Sequence, residues 1–259
     1  PRALGNRSIL ADPRVGSHKE TINAMIKMRE GYRPFAPSIL EERLRDFFEV
    51  PGQQSDFPFM SFVLKVKPEW RAQLPAITHV DGSARLQTVS KATNPRYWEL
   101  IDAFGRKTGI PMLLNTSFNN NAEPIVDSID DAVVCYLTSG LDYLVVGDYL
   151  ARKKDWRPDD LAALIVSLPK AAVLLREDRY VSHSERSFSY ALVWNYASAR
   201  RRVLSEACYK ILQAADGKQS IAGLMAMLGF SKEQRARVLE ELPGLWSDRW
   251  LVLRPEARP

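Results

Sequence analysis

Between residues 20 and 146, stretches with helical spacing alternate with short apolar runs, and few architectures accept that alternation. Glu20–Arg29 repeats Ile22, Met25 and Ile26 on one helical face, behind a start region at Ser17/His18. Ser38–Phe48 carries a helix signal, with Pro37 at its start and Glu41 and Glu42 in its first turn. Phe59–Val66 alternates and is β-rich, so the pattern predicts a strand, as it does for Arg85–Val89. Tyr97–Thr108 places Leu100, Ile101 and Phe104 at helical spacing and ends at Gly109. Pro111–Asn115 reads as a buried strand, Ser128–Ser139 as a helix stopped by Gly140, and Tyr143–Val146 as a last strand. The expected architecture is α/β with a twisted mixed sheet.

The pattern changes past a charged stretch at 152–160 that carries a Pro and has no apolar period. Beyond it, Leu174–Ser189 holds short strand-like runs and Ala199–Gln213 reads as a helix. Two further helices are expected over 220–228 and 231–242, capped by Ser220 and Ser231, and Trp250–Leu253 reads as a closing strand. Residues 1–155 and 156–259 are therefore expected to form separate domains. The second is expected to be a small winged-helix-like α+β module.

No apolar run approaches the roughly 18–20 residues of a membrane span. Cys135 and Cys208 stand far apart with no CxxC spacing, and His18, His79 and His183 are scattered. These features favour a reducing cytoplasm and disfavour a metal cluster. Of the net charge of +5, the last 104 residues carry a surplus of four, a hint of an anionic partner surface.

Five polar clusters share one chemical theme. The chain opens inside the first, Pro1-Arg2-Ala3-Leu4-Gly5-Asn6-Arg7-Ser8, without an initiator Met, and so reads as a working piece of a longer enzyme. Its two Arg forks suit a phosphate, and its Gly lets backbone come close. Lys27 and Arg33 form the second, with Pro34 and Pro37 stiffening the chain around Phe35-Ala36. The third runs from Thr78-His79 through the Asp81-Gly82 turn to Arg85. The fourth, Asn115-Thr116-Ser117-Phe118-Asn119, ends an apolar strand, where α/β proteins often hold ligands. Glu123-Pro124-Ile125-Val126 is a rigid loop close behind it. Cations beside amide-rich strand ends, with no Gly-rich P-loop, point to a polyphosphate or acyl-phosphate site.

PRALGNRSILADPR, RPFAPS, PFM, THVDGSARLQTV, LLNTSFN and EPIV follow one another in an order that resembles O-carbamoyltransferases of the nodulation-protein-U and cephalosporin-carbamoyltransferase type. The resemblance covers about residues 1–150 and implies the carboxy-terminal, YrdC-like domain of those enzymes. It implies ATP and carbamoyl phosphate as substrates, Mg²⁺ accompanying ATP, and carbamoyl-adenylate as the product. Transfer to an acceptor hydroxyl would then belong to a separate N-terminal domain that carries the family's metal. By the same resemblance Lys27, Arg33 and Arg85, with Arg2, hold the phosphates and the carbamoyl group. Asn115 and Ser117 are polar partners of nucleotide and carbamoyl, and Arg7 and His79 lie in the same motifs. Residues 156–259 extend past the usual end of the family. Their SEACYKILQAADGKQSIAGLMAMLGF stretch is similar to PqqD-like winged-helix modules, which recognise peptides. The alternative is an inactive scaffold whose tail binds a peptide or protein. Arg200-Arg201-Arg202 is the one local feature favouring nucleic acid.

Overall fold

The computed structural model describes residues 3–24, 35–120, 123–180, 186–195 and 197–256. Contacts divide the chain into two compact units, Pro1–Ala151 and Arg152–Pro259.

The first unit opens with β1 (Ser8–Ala11), α1 (Ser17–Ile22) and β2 (Ala36–Leu40). There follow α2 (Leu44–Phe47), β3 (Phe48–Glu49), β4 (Leu64–Val66), α3 (Pro68–Arg71), β5 (Ser83–Ala84) and β6 (Gln87–Val89). Next come α4 (Pro95–Thr108), β7 (Met112–Ser117), α5 (Ile129–Leu137) and the hairpin of β8 (Tyr143–Val146) and β9 (Tyr149–Arg152). The central sheet runs β1-β7-β2-β6. Its β1/β7 and β7/β2 pairs are antiparallel, and β2/β6 is parallel. A smaller antiparallel sheet joins β3, β4 and β5. The unit is thus a mixed α/β fold.

Register decides what each face of the central sheet meets. Ser38 stands level with Gln87 and Leu113, and Ala36 with Asn115, so these side chains share a face. That face is covered by α4, whose Tyr97 and Ile101, one turn apart, pack with Leu40, Val89 and Leu113. The opposite face, with Ile39, Met112 and Leu114, belongs to the larger core that also holds Leu44, Phe47, Val66 and Leu86. Local chemistry explains α4: Pro95 opens it, Arg106 and Lys107 favour its negative end, and Gly109 closes it at a φ of +78°.

The second unit contains α6 (Pro158–Ala162), β10 (Ile165–Ser167), β11 (Ala172–Tyr180), β12 (Arg186–Trp194) and β13 (Ala197–Leu204). It ends with α7 (Glu206–Ala214), α8 (Ile221–Met227), α9 (Lys232–Ser247) and β14 (Val252–Arg254). Strands β11, β12 and β13 form an antiparallel sheet in that order, and β10 pairs with β14. Leu192, Trp194 and Leu204 from the sheet pack with Cys208, Ile211, Leu224, Val238 and Leu242 from the helices. The expected Ser caps are in place: Ser220 Oγ accepts from Gly223 N at 3.2 Å and Ser231 Oγ from Gln234 N at 3.3 Å.

Several elements differ from their sequence patterns. Ser38–Leu40 is strand rather than helix, because β2 is hydrogen-bonded on both sides, to β6 and β7. Only Leu64–Val66 of the expected 59–66 strand pairs, while Phe59, Met60, Phe62 and Val63 stay exposed. Residues 199–204 are strand, paired with β12, so Arg200–Arg202 do not sit on a helix. Within 152–160 the chain already enters α6, whose Leu161 and Ala162 are buried. No helix among the described residues is long and apolar enough to cross a membrane.

Candidate functional site

The first unit gathers its motifs at the sheet end formed by the last residues of β7 and the first of β2. Asn115 lies in the buried part of β7, at 7% exposure, level with Leu10 on one side and Ala36 on the other. Its Nδ2 donates to Gln87 Oε1 at 3.3 Å. Its Oδ1 is buried and accepts no hydrogen bond. An acceptor stripped of water without a partner costs about 1–3 kcal/mol, so its retention asks for a reason.

The opening loop lies beside this strand end. Ser8 stands opposite Ser117, and Arg7 O accepts from Phe118 N at 2.9 Å. The Arg7 guanidinium is held by Val126 O and Asp127 Oδ1, both at 2.9 Å, which ties the opening loop to the loop behind β7. Ser117 Oγ donates to Asn119 Oδ1 at 2.6 Å, and Asn119 Nδ2 reaches Glu123 O at 2.8 Å. Three of the sequence clusters therefore converge here. A cleft of about 450 Å³ adjoins them, lined by Leu4, Asn6, Pro58, Phe59, Thr88 and Asn94 among others. The wall that Pro58 and Phe59 supply is fixed by Phe57, whose N donates to Thr88 Oγ1 at 2.7 Å and whose O accepts from Thr88 N at 2.9 Å.

His79 and Arg85 flank the tight turn that leads into β5. His79 N donates to Ser83 O at 2.7 Å, Gly82 turns at a φ of +76°, and Asp81 Oδ1 accepts from Ser83 Oγ at 2.6 Å. Asp81 is also claimed by Lys65, at 3.1 Å, and these bonds hold its carboxyl far below the usual range. The charge of Asp81 is therefore already committed. Lys19 of α1 and Arg85 are different: neither side chain makes a hydrogen bond or ion pair with the described residues. Partial burial lowers the His79 pKa; Asp81 opposes this, while Lys19 and Arg85 add to the lowering, so the charge of both cations is felt at the imidazole. Such a group of unneutralised donors fits a phosphate.

Arg2, Lys27 and Arg33 lie outside the described residues. Of the remaining expected residues, Arg7, Asn115 and Ser117 come together around the end of β7, and His79 and Arg85 stand on either side of β5. Sequence reasoning missed Lys19 and Gln87. The signal for Gln87 was present, since in extended chain Arg85 and Gln87 project to the same side. Lys19 carried no local signal; the fold brings it to His79.

Comparison with known proteins bears on this arrangement. The family model described as carbamoyltransferase C-terminus matches residues 1–153, and the chain belongs to that family. It is 48% identical over 256 residues to nodulation protein NolNO of Sinorhizobium fredii, covering 98% of this chain and 38% of that protein. To nodulation protein NolO of Bradyrhizobium diazoefficiens it is 46% identical over 255 residues, 98% of this chain and 46% of the other. A 3'-hydroxymethylcephem-O-carbamoyltransferase of Amycolatopsis lactamdurans is 40% identical over 148 residues, 57% of this chain and 27% of that protein. The chain thus spans less than half the length of these relatives. Its second unit is shared with the two nodulation proteins.

Proposed function

We propose that the first unit activates a carbamoyl group for O-transfer, joining carbamoyl phosphate and ATP into carbamoyl-adenylate. The observation that carries this reading is the bare buried acceptor on Asn115 at the strand end, in a unit where Lys19 and Arg85 also make no hydrogen bond or ion pair with the described residues. Family membership and the named O-carbamoyltransferase relative support it.

The balanced chemistry is simple. Carbamoyl phosphate loses its phosphoryl group to water, leaving carbamate and phosphate. A carbamate oxygen then attacks the α-phosphorus of ATP, the α–β P–O bond breaks, and pyrophosphate leaves. No protein nucleophile is needed; fixed cations stabilise charge on the phosphoryl oxygens. Lys19 and Arg85 hold those oxygens in this reading, with Arg2, Lys27 and Arg33 assigned to the same task by their motifs. Asn115 receives the carbamoyl amide, Ser117 lies beside it, and His79 supplies a ring N–H. Mg²⁺ would arrive on the ATP phosphates. Among the described residues no three His, Cys, Asp or Glu gather as a protein cage for it. Delivery to an acceptor hydroxyl is assigned in this reading to a separate domain, for which the longer relatives have room.

The test is ATP–pyrophosphate exchange by the intact protein. Carbamoyl phosphate should stimulate exchange, and Arg85→Ala or Lys27→Ala should remove it. Absence of nucleotide binding by calorimetry, with no effect of either substitution, would refute the reading.

For the second unit we propose a winged-helix-like accessory role in binding a peptide or protein. The supporting observation is a three-stranded sheet with β11 and β13 at its edges, ahead of three capped helices. Capture of a partner by residues 160–259 with none by the first unit is the expected result.

A further inference from the structure

Asn115 does not owe its orientation to its own surroundings alone. Gln87 Nε2 donates to Pro58 O at 3.4 Å, and Gln87 Oε1 accepts from Asn115 Nδ2 at 3.3 Å. The direction of this relay is fixed at one end. A backbone carbonyl only accepts, so Pro58 O must face the Gln87 amide nitrogen, and the Gln87 oxygen must then face Asn115. An oxygen facing Asn115 in turn demands the Asn115 nitrogen. What is left over is Oδ1, buried and without a donor. The carbonyl end is itself held in place, because Phe57 is bonded to Thr88 through both its N and its O.

From this chain of constraints we infer that Gln87 is a positioning residue that locks the Asn115 amide with its oxygen toward the ligand, so that the site selects an acyl group bearing N–H donors. The inference rests on the carbamoyl-activating reading and adds to it the determinant of acyl choice. Carbamoyl phosphate brings an –NH₂ that satisfies Oδ1. Acetyl phosphate, nearly the same size, brings a methyl group and leaves the oxygen stripped of water and unpaired. A site built to receive a hydrogen bond rejects the analogue lacking it, because the orphaned group bears the whole desolvation cost. Without Gln87 the Asn115 amide is free to turn over and present –NH₂, and the preference collapses. Ser38 Oγ and Tyr97 OH, on the same side of the sheet, are buried without hydrogen-bond partners, so neither donates to Oδ1.

The test compares carbamoyl phosphate and acetyl phosphate binding to the intact protein by calorimetry, with ATP binding measured in parallel. The wild type should prefer carbamoyl phosphate by roughly 10- to 100-fold. Gln87→Met should bring that preference below about threefold while ATP affinity is unchanged, an asymmetry that general damage to the sheet would not produce. Gln87→Glu, which keeps an acceptor for Asn115 but sets a carboxylate against Pro58 O, should give an intermediate preference and serves if the Met variant fails to fold. Wild-type preference retained in a folded Gln87 variant overturns the inference and leaves the proposed function standing. A wild type that binds both acyl phosphates equally overturns the inference too. A wild type that binds neither ATP nor acyl phosphate overturns both.

Discussion

Gly5 lies directly against the ring of Tyr97: a Cβ placed on Gly5 would stand 2.3 Å from Tyr97 Cγ, and the backbone there turns at a φ of +73°. Both facts select glycine, the first by space and the second by conformation. The contact presses the opening loop onto α4, and Asn94 Nδ2 reinforces it by donating to Leu4 O at 3.0 Å. Gly5→Ala should therefore destabilise the first unit by about 2–4 kcal/mol and weaken nucleotide binding. Tyr97→Phe is the informative contrast. Burial pushes the Tyr97 phenol far above its usual range, the nearby Ser38 hydroxyl offsets this only in part, and neither hydroxyl completes a hydrogen bond. Removing the phenol oxygen should leave stability within about 1 kcal/mol of wild type, on the favourable side. Urea denaturation of the two variants checks both expectations.

How far the sequence revealed this arrangement depended on where the deciding interaction lay. Where it was local, the sequence spoke clearly. Pro95 and Gly109 bracket α4, and Ser128 forms a capping box with Asp131 at the start of α5. Residues 38–40 and 199–204 show the opposite case. Both carried helix-compatible patterns, and both are strands because partners distant in sequence hydrogen-bond to them. The alternation of 59–63 was real, but no strand among the described residues pairs with it, and the segment stays irregular and exposed. Asn115 and Ser117 were visible as a polar strand end. The orphan state of Asn115 Oδ1 was not, since it depends on a hydrogen bond to Gln87, 28 residues away.

The cations around His79 set a pH dependence. Partial burial comes first among the causes that lower its pKa, so His79 is mostly neutral at pH 7. Protonation below pH 6.5 adds a positive charge facing the same ligand as Lys19 and Arg85. A bound phosphate favours that proton, so phosphate affinity should rise as pH falls through the depressed pKa. The contribution of His79 to folding runs the other way. It is complete above the unfolded pKa near 6.5 and is lost as pH drops through the folded value. Calorimetric titration of pyrophosphate from pH 8 to 5.5 should show the rise in wild type and a flatter profile in His79→Gln. Lys19→Ala and Arg85→Ala should each weaken binding about 10-fold, consistent with loss of one charge-assisted contact.

Arg7 is already occupied, and its substitution separates a structural from a ligand-binding role. Its bonds to Val126 O and Asp127 hold the loop behind β7, although the Asp127 side chain is 91% exposed. That ion pair alone is worth little in water. Asp127→Asn should change stability by less than about 1 kcal/mol, whereas Arg7→Ala also frees a carbonyl and should cost about 1–2 kcal/mol. If Arg7 serves only the loop, ATP and carbamoyl phosphate affinities should fall no further than stability predicts. A loss of binding above 10-fold in Arg7→Ala, with Asp127→Asn unaffected, assigns Arg7 to the ligand as well.

In the second unit one carboxylate secures the junction between sheet and helices. Glu241 of α9 accepts from Ser205 Oγ at 2.6 Å and from Ser205 N at 3.2 Å, and Ser205 Oγ in turn caps α7 by accepting from Cys208 N at 3.1 Å. The same geometry governs Cys208. Burial, helped by the charge of Glu241, pushes its thiol well above the ordinary range, so the nucleophilic thiolate is suppressed. Native protein should react with a thiol-specific disulfide reagent at Cys208 only slowly. Glu241→Ala removes a partner from the cap and a negative charge from beside the thiol. It should destabilise the second unit by about 1–3 kcal/mol and raise the Cys208 modification rate by more than the loss of stability alone accounts for. Ser231→Ala, which weakens the cap of α9 far from the thiol, should cost about 1 kcal/mol and raise the rate only by the matching factor. Equal rate increases at equal destabilisation in the two variants would show that Cys208 responds to opening of the fold and not to the charge of Glu241.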